Sequence, residues 1–167
     1  MLFNPLLEGA LRFGKGWSYG IETMLRKSKG IFTGWISYSY TRSTREIKDV
    51  NHGKSYPAMH DRPHNFSVNL ACIAGKHWSF SGHWVYLTGA PFSSPTSFYY
   101  LNGYSVPIYG EKNNDRFPDY HRLDVSATFT LSNPGKRFQH NLVLTVYNAY
   151  GRHNPFEQNF NKIMDDN

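Results

Sequence analysis

The sequence predicts an all-β protein, an antiparallel up-and-down meander of about six to seven long strands. Two observations predict this class. Apolar and polar residues alternate with a period of two over several stretches, which is typical of strands with two chemically different faces. The connections between these stretches are alternately short and long, as in a meander whose two ends have different roles. Almost no stretch has helical periodicity.

The alternation is clearest in RPHNFSVNLACIAGKHWSFSGHWVY, residues 62–86. Phe66, Val68 and Leu70 share one parity, and the polar residues between them share the other. A small basic break at 74–77 predicts a turn, so this stretch predicts a hairpin. By the same criterion we expect strands at 17–27, 31–41, 64–74, 78–88, 120–131 and 140–149.

The connections between these strands fall into two sets. Short turns are expected at 27–30, at 74–77 and at Asn133-Pro134-Gly135-Lys136. Long polar or Gly/Pro/Tyr-rich loops are expected at 42–63 and 89–118. In outer-membrane barrels, short turns and long loops also alternate between the two ends of the barrel.

Strand length and aromatic placement favour a segment of a transmembrane β-barrel over the core of a soluble sandwich. The predicted strands have 10 to 12 residues, whereas crossing a bilayer at a tilt takes ~9–11. Aromatic residues make up 17% of the 167-residue chain although its mean hydropathy is −0.56. On the apolar parity they lie at both strand ends, like interfacial girdles: Phe32, Trp78, Phe80 and Phe129 near the short turns, and Tyr19, Tyr38, Tyr40 and Tyr86 near the long loops. Two aromatic residues do not fit this arrangement: Trp84 lies at mid-strand, and Tyr120 lies on the other parity.

The opposite parity is polar, and in a barrel it would line a wet lumen. The candidate lumen-facing residues are Glu22, Asn65, Asn69, His83, Arg122 and Asp124. In a soluble sandwich the same residues would face solvent. Arg122 and Asp124 lie two positions apart on one strand face, which predicts an ion pair on that wall, with Arg62 or Glu22 as further members.

The ionisable residues indicate neither an enzyme nor a nucleic-acid-binding protein. The net charge is +6, but the basic residues cluster at the short turns instead of forming one basic surface with interleaved aromatics. None of the eight histidines has the spacing of a dedicated zinc site. We therefore expect no catalytic residues, no metal, no cofactor and no nucleic-acid partner.

The second long loop is rich in Tyr, Ser, Asn and Gly. Tyrosine supplies rigid, amphipathic contact area to a ligand. Phe98, Tyr99, Tyr100 and Tyr104 are therefore candidate contacts of an external ligand. The alternative is a loop that folds over the barrel mouth and packs there.

Several strings, in this order, resemble barrel strands and loops of TonB-dependent outer-membrane receptors of the Bacteroidetes type. They cover about residues 16 to 156. The strings are SYGIE (18–22), TGWISYSY (33–40), YPA (56–58), DRPH (61–64), WVYLTG (84–89), YHRLDVS (120–126) and VYNAYGRHNPF (146–156).

The resemblance implies the C-terminal part of a barrel in the cell outer membrane that imports a scarce nutrient, such as a siderophore, a vitamin or a glycan. Its partners would be the lipid bilayer, the remaining strands of the barrel, an N-terminal plug domain and the energy-coupling TonB complex. The sequence contains no recognisable plug domain or signal peptide, and about six strands are fewer than the usual minimum of ~8 for a closed barrel. We therefore expect the chain not to transport alone.

Two alternatives remain. One is a small standalone or oligomeric porin-like barrel, and the other is a soluble carbohydrate-binding β-sandwich.

Overall fold

The computed structural model of the chain describes residues 12–102, 104–132, 138 and 140–155. Within them, no helix has the length and apolar character needed to span a membrane. One short 3-10 helix lies at Asn51–Gly53. In chain order the strands are β1 (Gly14–Lys27), β2 (Phe32–Ile47), β3 (Tyr56–Pro57), β4 (His64–Ala74), β5 (Trp78–Leu87), β6 (Pro91–Phe92), β7 (Pro95–Leu101), β8 (Tyr104–Tyr109), β9 (Asp115–Arg116), β10 (Tyr120–Thr130) and β11 (Asn141–Val146).

Six of these strands form one antiparallel meander sheet in the order β1-β2-β4-β5-β10-β11. This confirms the predicted all-β class and the predicted up-and-down meander. The short strand β3 pairs with the far end of β2. Among the described residues, β1 and β11 each have a neighbouring strand on one side only, so they form the two edges of the sheet.

The six sheet strands lie where the alternation predicts them, with some shifts at their ends. The largest shift is in β2, which continues to Ile47 because Thr44 and Arg45 pair with both β1 and β3. The turn predicted at 133–136 lies outside the described residues.

The loop predicted at 89–118 differs most from expectation, because it contains four strands. The two-residue strands β6 and β9 pair with each other, and β7 and β8 form a hairpin. Pro95 and Pro107 interrupt the alternation in this hairpin. Proline is tolerated there because a two-stranded ribbon consists only of edge strands.

The register of the sheet places all apolar-parity residues on one face. Residues directly opposite each other in an antiparallel pair point to the same side. Phe66 is opposite both Tyr38 and Tyr86, and Leu70 is opposite Gly34 and Gly82. Apolar residues of β10 and β11 also lie opposite each other on this side, as Ala127 and Leu144 do. We call this side the apolar face and the other side the polar face.

Burial is concentrated in the loops instead of the sheet. On the apolar face, Leu25 is 74% exposed, Leu70 is 54% exposed and Leu144 is 68% exposed. Of the described residues that are buried, all but Ser132 lie in or beside the long loops: Tyr56, Ala58, Asp61, Pro63, Gly89 and Pro91. The structure therefore has a small packed core at the end of the long loops (the loop end) and an uncovered apolar sheet face.

At Gly89, the start of the second long loop packs closely against its end at Phe117. A Cβ atom there would lie far inside contact distance of the Phe117 carbonyl oxygen. We expect Gly89→Ala to lower the free energy of unfolding by about 1–3 kcal/mol, because the loop must move to relieve the clash. Urea unfolding in detergent measures the change.

The matched control is Gly82→Ala, within β5. A Cβ atom there would lie 3.9 Å from the nearest atom outside its immediate neighbours, the Asp124 carbonyl oxygen. Gly82→Ala should therefore change the free energy of unfolding little. Equal losses in the two variants would contradict the close approach at Gly89.

Candidate functional site

The apolar face carries two groups of aromatic side chains separated by aliphatic ones. The group near the short turns, the turn-end aromatic group, contains Phe32, Trp78, Phe80 and Phe129. Trp78 is the centre of this group, with its ring 5.9 Å from that of Phe80 and 4.8 Å from that of Phe129, between centroids.

The second group lies toward the long loops, and we call it the loop-end aromatic group. Its members on β2, β4 and β5 are Tyr38, Tyr40, Phe66, Trp84 and Tyr86. Trp84, which the sequence placed at mid-strand, joins this group through ring contacts with Phe66 at 5.7 Å and Tyr86 at 6.3 Å. Between the two groups, the apolar-face positions of β2, β4, β5, β10 and β11 contain no charged residue.

The polar face brings together the six residues predicted to line a lumen. Asn69 is opposite His83, and His83 is opposite Asp124, so these three side chains form one row across β4, β5 and β10. Glu22 and Asn65 lie in another row, on either side of Ser39. Arg122 lies on the same face as Asp124, two positions away on β10. All six therefore share one face, whatever that face contacts.

Arg122 is the most highly connected side chain of the polar face. It pairs with Asp124 at 2.9 Å and donates a hydrogen bond of 3.0 Å to the Tyr120 hydroxyl. It also donates to the Tyr147 hydroxyl and lies over that ring at 4.1 Å from its centroid. The Asp124 carboxylate accepts a further bond from the Asn148 N–H at 2.9 Å. The predicted Arg122–Asp124 pair is thus present, with Tyr120, Tyr147 and Asn148 as its neighbours in place of Arg62 or Glu22.

The fully buried carboxylate of Asp61 joins the two long loops to the sheet. Its Oδ1 accepts the Ser43 N–H of β2 at 2.7 Å, and its Oδ2 pairs with the Arg116 guanidinium of β9. Arg116 Nη1 also donates to the carbonyl oxygens of Asp61, at 2.7 Å, and Gly89, at 3.1 Å. Because a buried charge is costly unless it is paired and hydrogen-bonded, this arrangement holds both loops in place.

A second carboxylate, that of Asp119, fixes the start of β10 against the end of β5. Its Oδ2 accepts the Tyr86 hydroxyl at 2.6 Å and its Oδ1 accepts the Gly89 N–H at 2.9 Å. These two hydrogen bonds, that from Tyr86 first, lower the pKa of the Asp119 carboxyl below its ordinary value. Both carboxylates therefore stabilise the loop end of the sheet.

The four residues predicted to contact an external ligand all lie on the β7–β8 hairpin, but on two different faces of it. Phe98 is opposite Pro107 and Tyr100 is opposite Ser105, whereas Tyr99 is opposite Val106 and Tyr104 is opposite Leu101. Tyr104 is the most exposed of the four, at 76%. The stretch from 91 to 110 contains no Asp, Glu, Lys, Arg or His. A ligand that contacts only this hairpin would therefore meet aromatic, aliphatic and hydroxyl groups and no charged side chain.

Sequence analysis missed Asp61, Arg116 and Asp119, whose side chains organise the loops. Each lies in or beside a predicted loop, where a charged residue is ordinarily solvated. A weak signal was the acid in the string DRPH at 61–64, directly before a strand. Their partners are 18 to 55 residues away, and no local pattern specifies such pairs.

Searches of protein-family models, curated proteins and solved structures found no match to this chain. In the described part of the chain, no three His, Cys, Asp or Glu side chains come together in a way that could hold a metal ion. The site is therefore described by its own geometry: a two-faced sheet, a polar wall centred on Arg122 and a compact cluster of loops.

The lowered pKa of Asp119 predicts how loop stability depends on pH. Since the folded pKa lies below the unfolded value of ~3.9, the stabilisation is complete above that pH and is lost as the pH falls through the folded value. We expect Asp119→Asn to reduce the free energy of unfolding by about 1–2 kcal/mol at pH 7. The difference from the unmodified chain should shrink well below pH 4, as urea unfolding at pH 7 and near pH 2 would measure.

Asp49→Asn is the control, because Asp49 is exposed and its side chain makes no hydrogen bond or ion pair to the described residues. A loss of unfolding free energy in Asp119→Asn that stays constant down to the lowest pH would contradict the lowered pKa of Asp119.

Proposed function

We propose that the chain is a transmembrane segment of a β-barrel in the bacterial outer membrane, with the apolar face in lipid and the polar face toward a wet lumen. The observation that carries this proposal is the continuous, uncovered apolar face shared by all six strands. In water each exposed Leu, Phe or Trp on that face would forgo roughly 1.5–3 kcal/mol of burial. In a bilayer the lipid tails cover it.

The spacing of the two aromatic groups supports the lipid contact. Trp78 and Tyr86 lie eight positions apart on β5, which is about 27 Å along the strand at ~3.4 Å per residue. A strand tilt of ~40° reduces this to about 21 Å across the membrane, near the ~25 Å apolar band of outer-membrane barrels. The uncharged positions between the two groups agree with a hydrocarbon layer.

The unpaired edges of β1 and β11 support the proposal that further strands complete the barrel. Open edges in hydrocarbon leave N–H and C=O groups unpaired at several kcal/mol each. We propose, on the resemblance of the strand sequences, that the complete assembly is a TonB-dependent receptor that imports a siderophore, vitamin or glycan. Other strands of the barrel would then pair with these edges, a plug would fill the lumen, and the TonB complex would supply energy.

A second candidate is an oligomeric, porin-like barrel, and the strand count favours it. Because the meander has six strands, β1 and β11 run in opposite directions. The β11 edge of one copy can therefore pair antiparallel with the β1 edge of the next. Two copies joined in this way would have twice six strands, within the range of 8 to about 26 seen in such barrels. A soluble sandwich is less well supported, because no second sheet among the described residues covers the apolar face.

Two adjacent residues of β4 test which face meets lipid. Leu70 lies midway between the aromatic groups on the apolar face, and Asn69 lies on the polar face. We expect Leu70→Arg to cost ~2–4 kcal/mol in a bilayer, as for Arg on the lipid face of known barrels. Asn69→Arg, at nearly the same depth, should cost much less. The fraction of chain protected from trypsin after refolding into phospholipid vesicles measures both.

A soluble sandwich whose apolar face lies in a protein core would fold in buffer without detergent or lipid. Purification of the chain as a folded monomer under those conditions would contradict the membrane assignment. So would equal protection of Leu70→Arg and Asn69→Arg in vesicles.

A further inference from the structure

Two histidines lie on the apolar face at the loop end, where an aliphatic or aromatic residue would be expected. His64 is opposite Tyr40 at the start of β4, and His121 is opposite Tyr86 at the start of β10. Each ring is bonded through Nδ1 to a tyrosine hydroxyl. The distance is 2.9 Å from His64 to Tyr38 and 2.8 Å from His121 to Tyr150.

The chemistry of its neighbours favours one direction for the hydrogen bond between His121 and Tyr150. The Trp84 Nε1–H can only donate, and it donates to the Tyr150 hydroxyl oxygen at 3.2 Å. The hydroxyl proton of Tyr150 is then available for an acceptor, and among the described residues the partner that can accept it is His121 Nδ1. A neutral imidazole that accepts at Nδ1 carries its proton on Nε2. This arrangement favours a neutral His121 that accepts at Nδ1 and donates at Nε2.

The same tautomer is favoured for His64, because a phenol O–H is a good donor and a neutral imidazole nitrogen is a good acceptor. The ring of His64 also stacks on Tyr38, with centroids 6.1 Å apart. Among the described residues, neither His64 Nε2 nor His121 Nε2 has a hydrogen-bond partner. Two N–H donors at the loop end of the apolar face thus lack an acceptor in the described part of the chain.

We propose that His64 and His121 donate these Nε2–H groups to the phosphate groups of membrane lipids. The proposal rests on the proposed function, because it needs the apolar face to lie in a bilayer. The loop-end aromatic group would then mark the boundary between acyl chains and headgroups. Phosphate oxygens are the strong acceptors at that level, and bonds to an ionised acceptor are shorter and stronger than neutral ones.

The charged side chains near these two histidines already have partners within the protein. Arg42 lies on the same face of β2, two positions beyond Tyr40 toward the loops, and its guanidinium pairs with the buried Asp61 carboxylate at 3.9 Å. The Asp119 carboxylate, at the same end of the sheet, accepts from Tyr86 and Gly89. A cationic headgroup amine needs a hydrogen-bond acceptor, whereas these two rings offer N–H donors.

His77 at the opposite end of the sheet provides an internal contrast. Its Nδ1 lies 2.8 Å from the Thr130 carbonyl oxygen. A carbonyl can only accept, so His77 Nδ1 must carry the proton and its neutral ring has no hydrogen on Nε2. The neutral rings of His64 and His121 should therefore be the opposite tautomer from that of His77.

Solid-state NMR of the full chain with ¹⁵N-labelled histidine tests the proposal. The chain is refolded into bilayers of phosphatidylethanolamine and phosphatidylglycerol, and separately into bilayers of a galactolipid that contains no phosphate. Trypsin protection in each lipid reports insertion. The ¹⁵N shifts report the tautomers, and dephasing of ¹⁵N by ³¹P reports phosphate contact. Single His→Gln variants assign the signals.

We expect ³¹P dephasing at Nε2 of His64 and His121 and none at His83, which lies on the polar face. Tyr150→Phe should mix the tautomers of His121 and weaken its dephasing, whereas Tyr147→Phe should leave both unchanged. Protection in both lipids without dephasing at His64 and His121 would overturn this inference and leave the proposed function standing. Dephasing at His83 in place of His64 and His121 would contradict the two together, because it would place the polar face against lipid.

Discussion

The register of the six-stranded sheet is the constraint on which the rest of the structure depends. Side chains alternate between faces along a strand, so a shift of one residue in any pairing would move that strand's apolar residues to the polar face. Short turns hold these registers. The turn between β4 and β5, for example, contains Gly75 at a φ of +77°, a conformation that suits glycine. With every pairing in register, the apolar residues of all six strands merge into one surface.

That surface reverses the usual arrangement in which a sheet is buried and its loops are exposed. Here the sheet residues Leu25 and Leu144 are largely exposed, and Asp61 in a loop is fully buried. The loops depend on the sheet in turn, because Asp61 is anchored by the Ser43 N–H and Asp119 by the Tyr86 hydroxyl. The register therefore positions both the apolar face and the partners that hold the loops.

Much of the sheet could be predicted from the sequence, because the pattern that encodes it is local. Alternation over ten or so residues places Phe66, Val68 and Leu70 on one face without knowledge of the neighbouring strands. It also groups Asn65, Asn69 and His83 on the other face. The Arg122–Asp124 pair was predictable for the same reason, since its members lie two positions apart on one strand.

What could not be predicted depends on contacts between distant segments. Asp61 meets Arg116 across 55 residues, and Trp84 joins the loop-end aromatic group through cross-strand rings that a single strand does not reveal. Tyr150 bonds to Trp84 and His121 from a segment that follows β11. The β7–β8 hairpin was missed because prolines interrupt its alternation. Each of these features depends on tertiary contacts, whereas the alternation indicates only the face to which each side chain points.

The most direct test of the central claim is the quenching of tryptophan fluorescence by lipids with brominated acyl chains. The chain has four tryptophans, and single-tryptophan variants that keep Trp78 or Trp35, with the others changed to Phe, place one probe on each face. If the apolar face lies in lipid, brominated chains should quench Trp78 strongly and Trp35 weakly. Equal quenching of the two probes, or stronger quenching of Trp35, would contradict the account.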